Sequence, residues 1–342
     1  MTEPLVNDWA QMGSEVTVAA LPHIAPVYKA IRGVKHVLEW PFERRKLQLF
    51  KRYRVAQQLR GQFDCCVVCP NSFKSALIPW IAGVTERLGY LGESRSWALT
   101  KVLPNPDRNH RESMTRFYRA LGPSAAYKSE ENLKQLFSGG ERNALGTVQR
   151  DVPTLNLDRE FVKSTLLENG LTQQAFTVIA PGAEYGPAKR WPIEYFSELA
   201  LQVAQSGGTV LILGSTADQA MGEQIKNTAH EKLTSLKGVI KNLAGQTTLL
   251  QAMALISSSK CLISNDSGLM HIGAAFGVAQ VAIFGSSSPL HTPPLSKRAK
   301  VLWLSLSCAP CFKRECPLGH TNCLRDISVA DVVDAVQNCL TL

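Results

Sequence analysis

Four stretches of this 342-residue chain combine residue types that handle anionic ligands or soft metals. Residues 265–271 read Asn-Asp-Ser-Gly-Leu-Met-His, with Asp266 at an expected strand end and Ser267-Gly268 opening a helix. The free N–H groups of such a first turn bind anions. His271 follows Ser267 by about one turn, so both face the same ligand, and a lone helical His without these neighbours would read as packing. Asp266 would repel a phosphate, and its expected task is to organise the turn through backbone N–H groups. Residues 181–192, Pro-Gly-Ala-Glu-Tyr-Gly-Pro-Ala-Lys-Arg-Trp-Pro, place Lys189 just ahead of a helix that Pro192 helps start. Lys189 and Arg190 read evenly as phosphate-neutralising cations or as solvated loop charges. Residues 214–218, Gly-Ser-Thr-Ala-Asp, put Asp218 at a helix start, where it serves as an N-cap or as an acceptor for ribose hydroxyls. Cys308, Cys311, Cys316 and Cys323, with His320 between them, suit a tetrahedral zinc or a set of reduced thiols.

The elements that must carry these loops alternate between short β-branched runs and helical patterns, the signature of βαβ units and parallel sheets. In the first half, strands are expected over 15–21 and 65–69, a helix from Ser72, and another over 111–121. A polar connection is expected over 129–158. In the second half, strands are expected over 177–180, 209–213, 239–243, 261–264 and 281–284. They are followed by helices over 193–206, from near 218, over 249–258, over 269–276 and over 329–340, the last capped by Ser328. Ligands of such sheets bind outside the carboxyl ends of the strands, where the three phosphate-type loops fall.

The composition is globular, with 45% hydrophobic and 19% charged residues, and the length suits two domains. Nine cysteines without a leader-like apolar start point to reduced thiols in a cytoplasmic protein. The longest uncharged stretch, 267–296, is interrupted throughout by Gly, Ser, Gln, His and Pro, unlike a membrane span. Of the net charge of +9, nearly all lies in residues 1–125, which hold 18 Lys/Arg against 10 Asp/Glu. That excess reads as a solvated face or as a surface for an anionic partner. No nucleic-acid-binding signature accompanies it. The chain also lacks GxGxxG, GxxxxGK[ST] and Asp-x-Asp, which disfavours nicotinamide enzymes, P-loop NTPases and metal-dependent sugar transferases.

Together NSFKSAL (residues 71–77), PGAEYGPAKRWP (181–192), NDSGLMH (265–271) and SSSPLHTPPLS (286–296) resemble glycosyltransferase family 9, from about Gly13 to the C-terminus. The resemblance implies an α/β GT-B fold of two Rossmann-like domains facing across a cleft. Residues 1–158 would bind the acceptor and 159–326 ADP-heptose, with 327–342 a helix that packs back on the first domain. It implies inverting, metal-independent transfer of L-glycero-D-manno-heptose from ADP-L-glycero-D-manno-heptose to the first heptose of the lipopolysaccharide inner core. It places the enzyme peripherally on the cytoplasmic face of the inner membrane. Position by position, Lys189 matches the lysine that meets the leaving diphosphate. Glu184, Asp218, Thr247, Asp266, Ser267, Gly268 and His271 match donor-binding positions. Asn71, Ser72, Lys74 and Arg116 match acceptor-side positions. Family members begin with a strand and a Gly-rich turn bearing the Asp that acts as general base. Here residues 1–12 are expected to lead straight into the strand at Glu15, so the first strand is missing, Asp8 is not the base, and the base is unassigned. The alternatives are a related transferase with another donor or acceptor, or a catalytically silent nucleotide-sugar-binding protein.

Overall fold

The computed structural model describes residues 1–43, 46–106, 113–123, 152–231 and 237–341. The chain forms two compact units, Met1–Gly146 and Thr147–Leu342. Most of the expected connection over 129–158 lies outside the described residues, as do the first residues of the helix expected over 111–121.

The first unit runs α1 (Glu3–Gln11), β1 (Val16–Ala20), α2 (Ala25–Lys29), β2 (Val34–Glu39), α3 (Leu49–Gln58), β3 (Cys65–Val68), α4 (Phe73–Ile81), β4 (Glu86–Tyr90), β5 (Lys101–Leu103) and α5 (Met114–Arg119). Its strands form two parallel sheets, β1-β2 and β3-β4-β5. Helix α1 packs Leu5 and Trp9 against Leu88, Tyr90, Leu103 and Phe117 on one side of the second sheet. On the other side, Ala56 of α3 and Ile78 of α4 pack with Cys66, and also with Leu21 and Trp40 at the end of the first sheet.

Helix α1 corrects the expectation that no helix precedes the strand at Glu15. Pro4 sits in its first turn, where its missing N–H is no loss, and Leu5 and Val6 are buried. The Asp8 carboxylate takes a bidentate pair from Arg119 of α5, at 2.6 and 3.0 Å, so it ties two helices together. No strand precedes α1 among the described residues.

The second unit runs α6 (Arg159–Glu168), β6 (Phe176–Ala180), α7 (Ile193–Gln205), β7 (Thr209–Ile212), α8 (Gln219–Glu231), β8 (Val239–Asn242), α9 (Leu249–Ser258), β9 (Cys261–Asn265), α10 (Gly268–Ala275), β10 (Gln280–Phe284), β11 (Ala299–Trp303), α11 (Asn322–Arg325) and α12 (Val329–Leu340). Its six strands are all parallel in the order β11-β10-β9-β6-β7-β8. The chain winds outward from β6 through β7 and β8, then restarts at β9 on the other side. The strand order therefore reverses between β6 and β9, which is where open α/β sheets bind ligands. Strands β9 and β10 are buried along their whole length, as central parallel strands must be.

Phe196 and Leu199 of α7 share a core with Ile212, Ile263 and Val281 on one face of this sheet. Val332, Ala335 and Cys339 of α12 lie in the same core. The final helix thus spends its apolar face inside the second unit, where the sequence reading set it apart as a piece lying back on the first. It is capped as expected, with Ser328 and Asp331 exchanging hydrogen bonds.

Candidate active site

Loops leave the carboxyl ends of β6, β9 and β10, and Asp266 is the point at which these three meet. It follows β9 directly and is buried. Its carboxylate forms an ion pair with the Lys189 ammonium. It also accepts hydrogen bonds from Ser287 Oγ at 2.6 Å and Thr292 Oγ1 at 3.2 Å. Asp266 therefore organises side chains from two neighbouring loops, where the sequence suggested that it would hold its own turn through backbone N–H groups. Ser287 and Thr292 belong to the fourth of the strings that carry the family resemblance, 286–296, whose residue types alone assign it no role. Paired polar side chains around a buried carboxylate become visible only once β9 and β10 are neighbours.

The loop carrying Lys189 is fixed at both ends by one residue that the sequence did not single out. Asn265 accepts from the Trp191 N–H at 3.0 Å and donates Nδ2 to the Pro181 carbonyl at 2.7 Å. Trp191 is almost wholly buried and donates its indole N–H to the Ile327 carbonyl at 2.9 Å. Between these anchors Pro187–Lys189 form one 3-10 turn. The Lys189 ammonium lies 5.2 Å from the centre of the Tyr185 ring, a second electrostatic restraint on it.

Ser267 is the N-cap residue of α10 and has an extended backbone, but its hydroxyl makes no capping bond. Ser267 Oγ is a buried atom without a hydrogen-bond partner among the described residues. Buried polar groups are nearly always paired, so an orphaned hydroxyl at a helix N-terminus marks a place built for something polar. A Cβ placed on Gly268 would meet nothing within 4 Å, so the ground in front of the first turn is open. Burial pushes the His271 imidazole down to about 4, which keeps it neutral at pH 7.

Of the two roles left open by the sequence, Asp218 fills that of the cap. Its Oδ2 accepts from the Ser215 N–H at 2.9 Å and the Ser215 hydroxyl at 2.7 Å, closing a capping box. No hydrogen bond reaches Oδ1 from the described residues. A Cβ on Gly182 would sit 2.6 Å from this carboxylate, so glycine there lets the β6 loop pass it. Thr247 is half-buried just ahead of the Thr248–Gln251 capping box of α9, and Glu184 is exposed on the β6 loop.

In the first unit, Asn71, Ser72 and Lys74 lie together at the β3–α4 turn. Asn71 Oδ1 accepts from Arg95 Nη2 at 3.2 Å, and Arg95 is fully buried. The Phe73 N–H donates to Glu93 Oε2 at 2.8 Å, so a carboxylate already sits at the start of α4. Arg116 is exposed on a different helix, α5.

The four clustered cysteines and His320 line one small cavity together with Ala188. No group of three or more His, Cys, Asp or Glu side chains among the described residues is arranged to ligate a metal as it stands. The Thr321 N–H, foremost, with those of Leu318, Gly319 and His320, holds the Cys316 thiol below its usual range. In β3 and just after it, burial pushes Cys65 up to about 11 and Cys66 and Cys69 up to about 12, which makes them unreactive.

The family model for glycosyltransferase family 9 (heptosyltransferase) matches residues 52–322. The chain belongs to glycosyltransferase family 9. It is 34% identical over 331 residues to lipooligosaccharide heptosyltransferase 2 of Haemophilus ducreyi, covering 96% of this chain and 91% of that protein. It is 32% identical over 328 residues to lipopolysaccharide heptosyltransferase 2 of Escherichia coli, covering 95% and 89%. Among solved structures, E. coli ADP-heptose lipopolysaccharide heptosyltransferase II superposes with a TM-score of 0.76 at 29% identity, covering 99% of this chain and 94% of that one. The fold is therefore the GT-B fold of the family, and the protein is a glycosyltransferase. No helix among the described residues is long and apolar enough to cross a membrane.

Proposed function

We propose that this chain transfers L-glycero-D-manno-heptose from ADP-heptose to the first heptose of the lipopolysaccharide inner core, with inversion and without a catalytic metal. The observation that carries the reading is the Lys189–Asp266 pair beside the orphaned Ser267 hydroxyl and the open first turn of α10. An ammonium has three N–H donors, and Asp266 takes one, which leaves two for a diphosphate. When the acceptor hydroxyl attacks the anomeric carbon and the bond to ADP breaks, charge develops on the diphosphate. Lys189 and the α10 N–H groups are placed to stabilise it. Asp218 Oδ1 serves the adenosine ribose, Thr247 lines the adenine side, and Glu184, Gly268 and His271 complete the donor pocket. Asn71, Ser72, Lys74 and Arg116 serve the acceptor. Since Glu93 already caps α4, Lys74 and Arg116 supply the positive charge there. The names of the relatives support heptose transfer and a lipopolysaccharide acceptor, and that of the E. coli structure supports ADP-heptose as donor.

Calorimetry with ADP, UDP and GDP in the presence of a chelator tests the donor assignment. ADP should bind at least tenfold more tightly than the other two. Equal affinities, or ADP binding abolished by the chelator, would remove it.

The same reading includes a structural zinc on Cys308, Cys311, Cys316 and Cys323, supported by their common cavity. It also includes peripheral attachment to the cytoplasmic face of the inner membrane, supported by α3. There Leu49, Phe50 and Tyr53, with Leu47 just ahead, are exposed beside the exposed Lys51 and Arg54. Co-sedimentation should show binding to vesicles rich in anionic lipid, reduced severalfold by Phe50→Glu. Indifference to lipid charge, or to the substitution, would refute this attachment.

A further inference from the structure

The cysteine loop and the Lys189 loop are stitched into one body. The Ala188 N–H donates to the Arg314 carbonyl at 3.0 Å, and Arg314 Nε donates to the Tyr185 carbonyl at 2.6 Å. Tyr185 Oη donates to the Phe312 carbonyl at 2.7 Å. The Phe312 N–H donates to the Ser286 carbonyl at 2.7 Å, and the Ser286 N–H donates to the Ala188 carbonyl at 3.1 Å. Gly186 has no side chain to keep it from the Arg314 carbonyl, against which a Cβ would clash. Four of these five links join residues 185–188, next to Lys189, to Ser286 or to residues 312–314, which lie between Cys311 and Cys316, and the fifth joins Phe312 to Ser286.

What holds the cysteine loop in shape is then the question, because its own backbone is irregular. Phe312, Gly319 and Thr321 all have positive φ, and the only helix within it is the four-residue α11. Residues 308–321 bury no large apolar side chain of their own. All four cysteines instead line one cavity. Ligating one cation requires their sulfurs to move closer together than they stand. His320 Nδ1 already accepts the Asn322 N–H at 3.0 Å, so His320 shapes the turn and leaves the four sulfurs as the ligand set.

We infer that a thiophilic cation bound by Cys308, Cys311, Cys316 and Cys323 holds the cysteine loop in place and, through Arg314, Phe312 and Ser286, sets the position of Lys189 for the donor diphosphate. The cation takes no part in the reaction. This rests on the zinc reading above and adds to it a dependence of donor affinity on occupancy. Tetrathiolate sites hold zinc or iron, and elemental analysis separates the two.

The test begins with elemental analysis of the full chain, which should find about one zinc or iron per molecule. Less than a tenth of an equivalent would end the metal reading and this inference with it. The ion is then displaced with a mercurial and a chelator, the mercurial is removed with thiol, and ADP affinity is measured by calorimetry. Affinity should fall about tenfold and return on adding zinc. In a chain carrying Lys189→Ala the same stripping should change it less than twofold, because the loss is routed through that lysine. A metal-containing chain whose stripped form binds ADP unchanged, or loses affinity equally without Lys189, would overturn the coupling and leave the metal site standing. Should stripping unfold the chain, Arg314→Ala gives the same answer. It leaves all four sulfurs in place, so the metal should stay while ADP affinity falls severalfold, and unchanged affinity would refute the coupling.

Discussion

Asp266→Ala should lower the melting temperature of the chain by roughly 6–12 °C and reduce transfer at least a hundredfold. Removing one member of a buried ion pair typically costs about 3–5 kcal/mol, because the partner is left uncompensated. The Lys189 side chain keeps 17% of its exposure and can turn partly to water, so the lower end, about 3 kcal/mol, is expected here. For a unit of this size each kcal/mol is worth about 2–4 °C. The effect on transfer is separate: without Asp266, Lys189, Ser287 and Thr292 lose their common acceptor, and a catalytic cation that wanders by an ångström costs about a hundredfold. Thermal unfolding and initial rates check the two halves independently. A variant with wild-type melting and wild-type rate would show that the carboxylate organises nothing.

Lys189→Ala should act on ligand as well as on fold. Its removal leaves the buried Asp266 carboxylate with two hydroxyl donors and no cation, so melting should fall at least as far as in the Asp266 variant. A charge-assisted contact to phosphate is worth about 1.5–3 kcal/mol, which corresponds to a ten- to hundredfold loss of ADP affinity. The transition state carries more charge on the leaving diphosphate than the bound donor does, so kcat should fall as well as affinity. Lys189→Arg should recover part of the affinity, because it keeps the charge but not the compact ammonium that fits against Asp266 and Tyr185. Unchanged affinity and rate in Lys189→Ala would take the residue out of the site.

Much of the second unit was legible because its strands are apolar runs closed by Gly, Asn or Asp. Strand β9 runs into Asn265-Asp266-Ser267-Gly268, and both the strand and the helix that follows fall where periodicity placed them. Strand β11, Ala-Lys-Val-Leu-Trp, escaped because an edge strand half open to solvent carries no continuous apolar run. In the first unit β2, Val-Lys-His-Val-Leu-Glu, is mostly exposed or half-buried and reads as loop. Helix α1 was missed because nine residues with a proline in the first turn give barely two turns of pattern.

The site divides along the same line. Lys189, Asp266 and Ser267 could be found because charge, glycine and helix starts announce themselves locally. Asn265, Ser287 and Thr292 could not, since their function is to bond residues 84, 21 and 26 positions away. Asp218 was readable only as an ambiguity, of which the structure shows the capping half through Oδ2. Every link between the cysteine loop and the Lys189 turn ends on a backbone carbonyl, and three of the five also start from a backbone N–H, which no residue pattern encodes.

The most direct measurement is product analysis with the full chain, ADP-heptose, and a lipopolysaccharide core acceptor that ends in its first heptose, all in a chelator. The account expects ADP to appear in step with an acceptor heavier by one heptose, joined with inverted anomeric configuration. It also expects no such product from UDP- or GDP-linked sugars. Transfer from one of those donors but not from ADP-heptose, or transfer that stops when the chelator is added and resumes with magnesium, would contradict it.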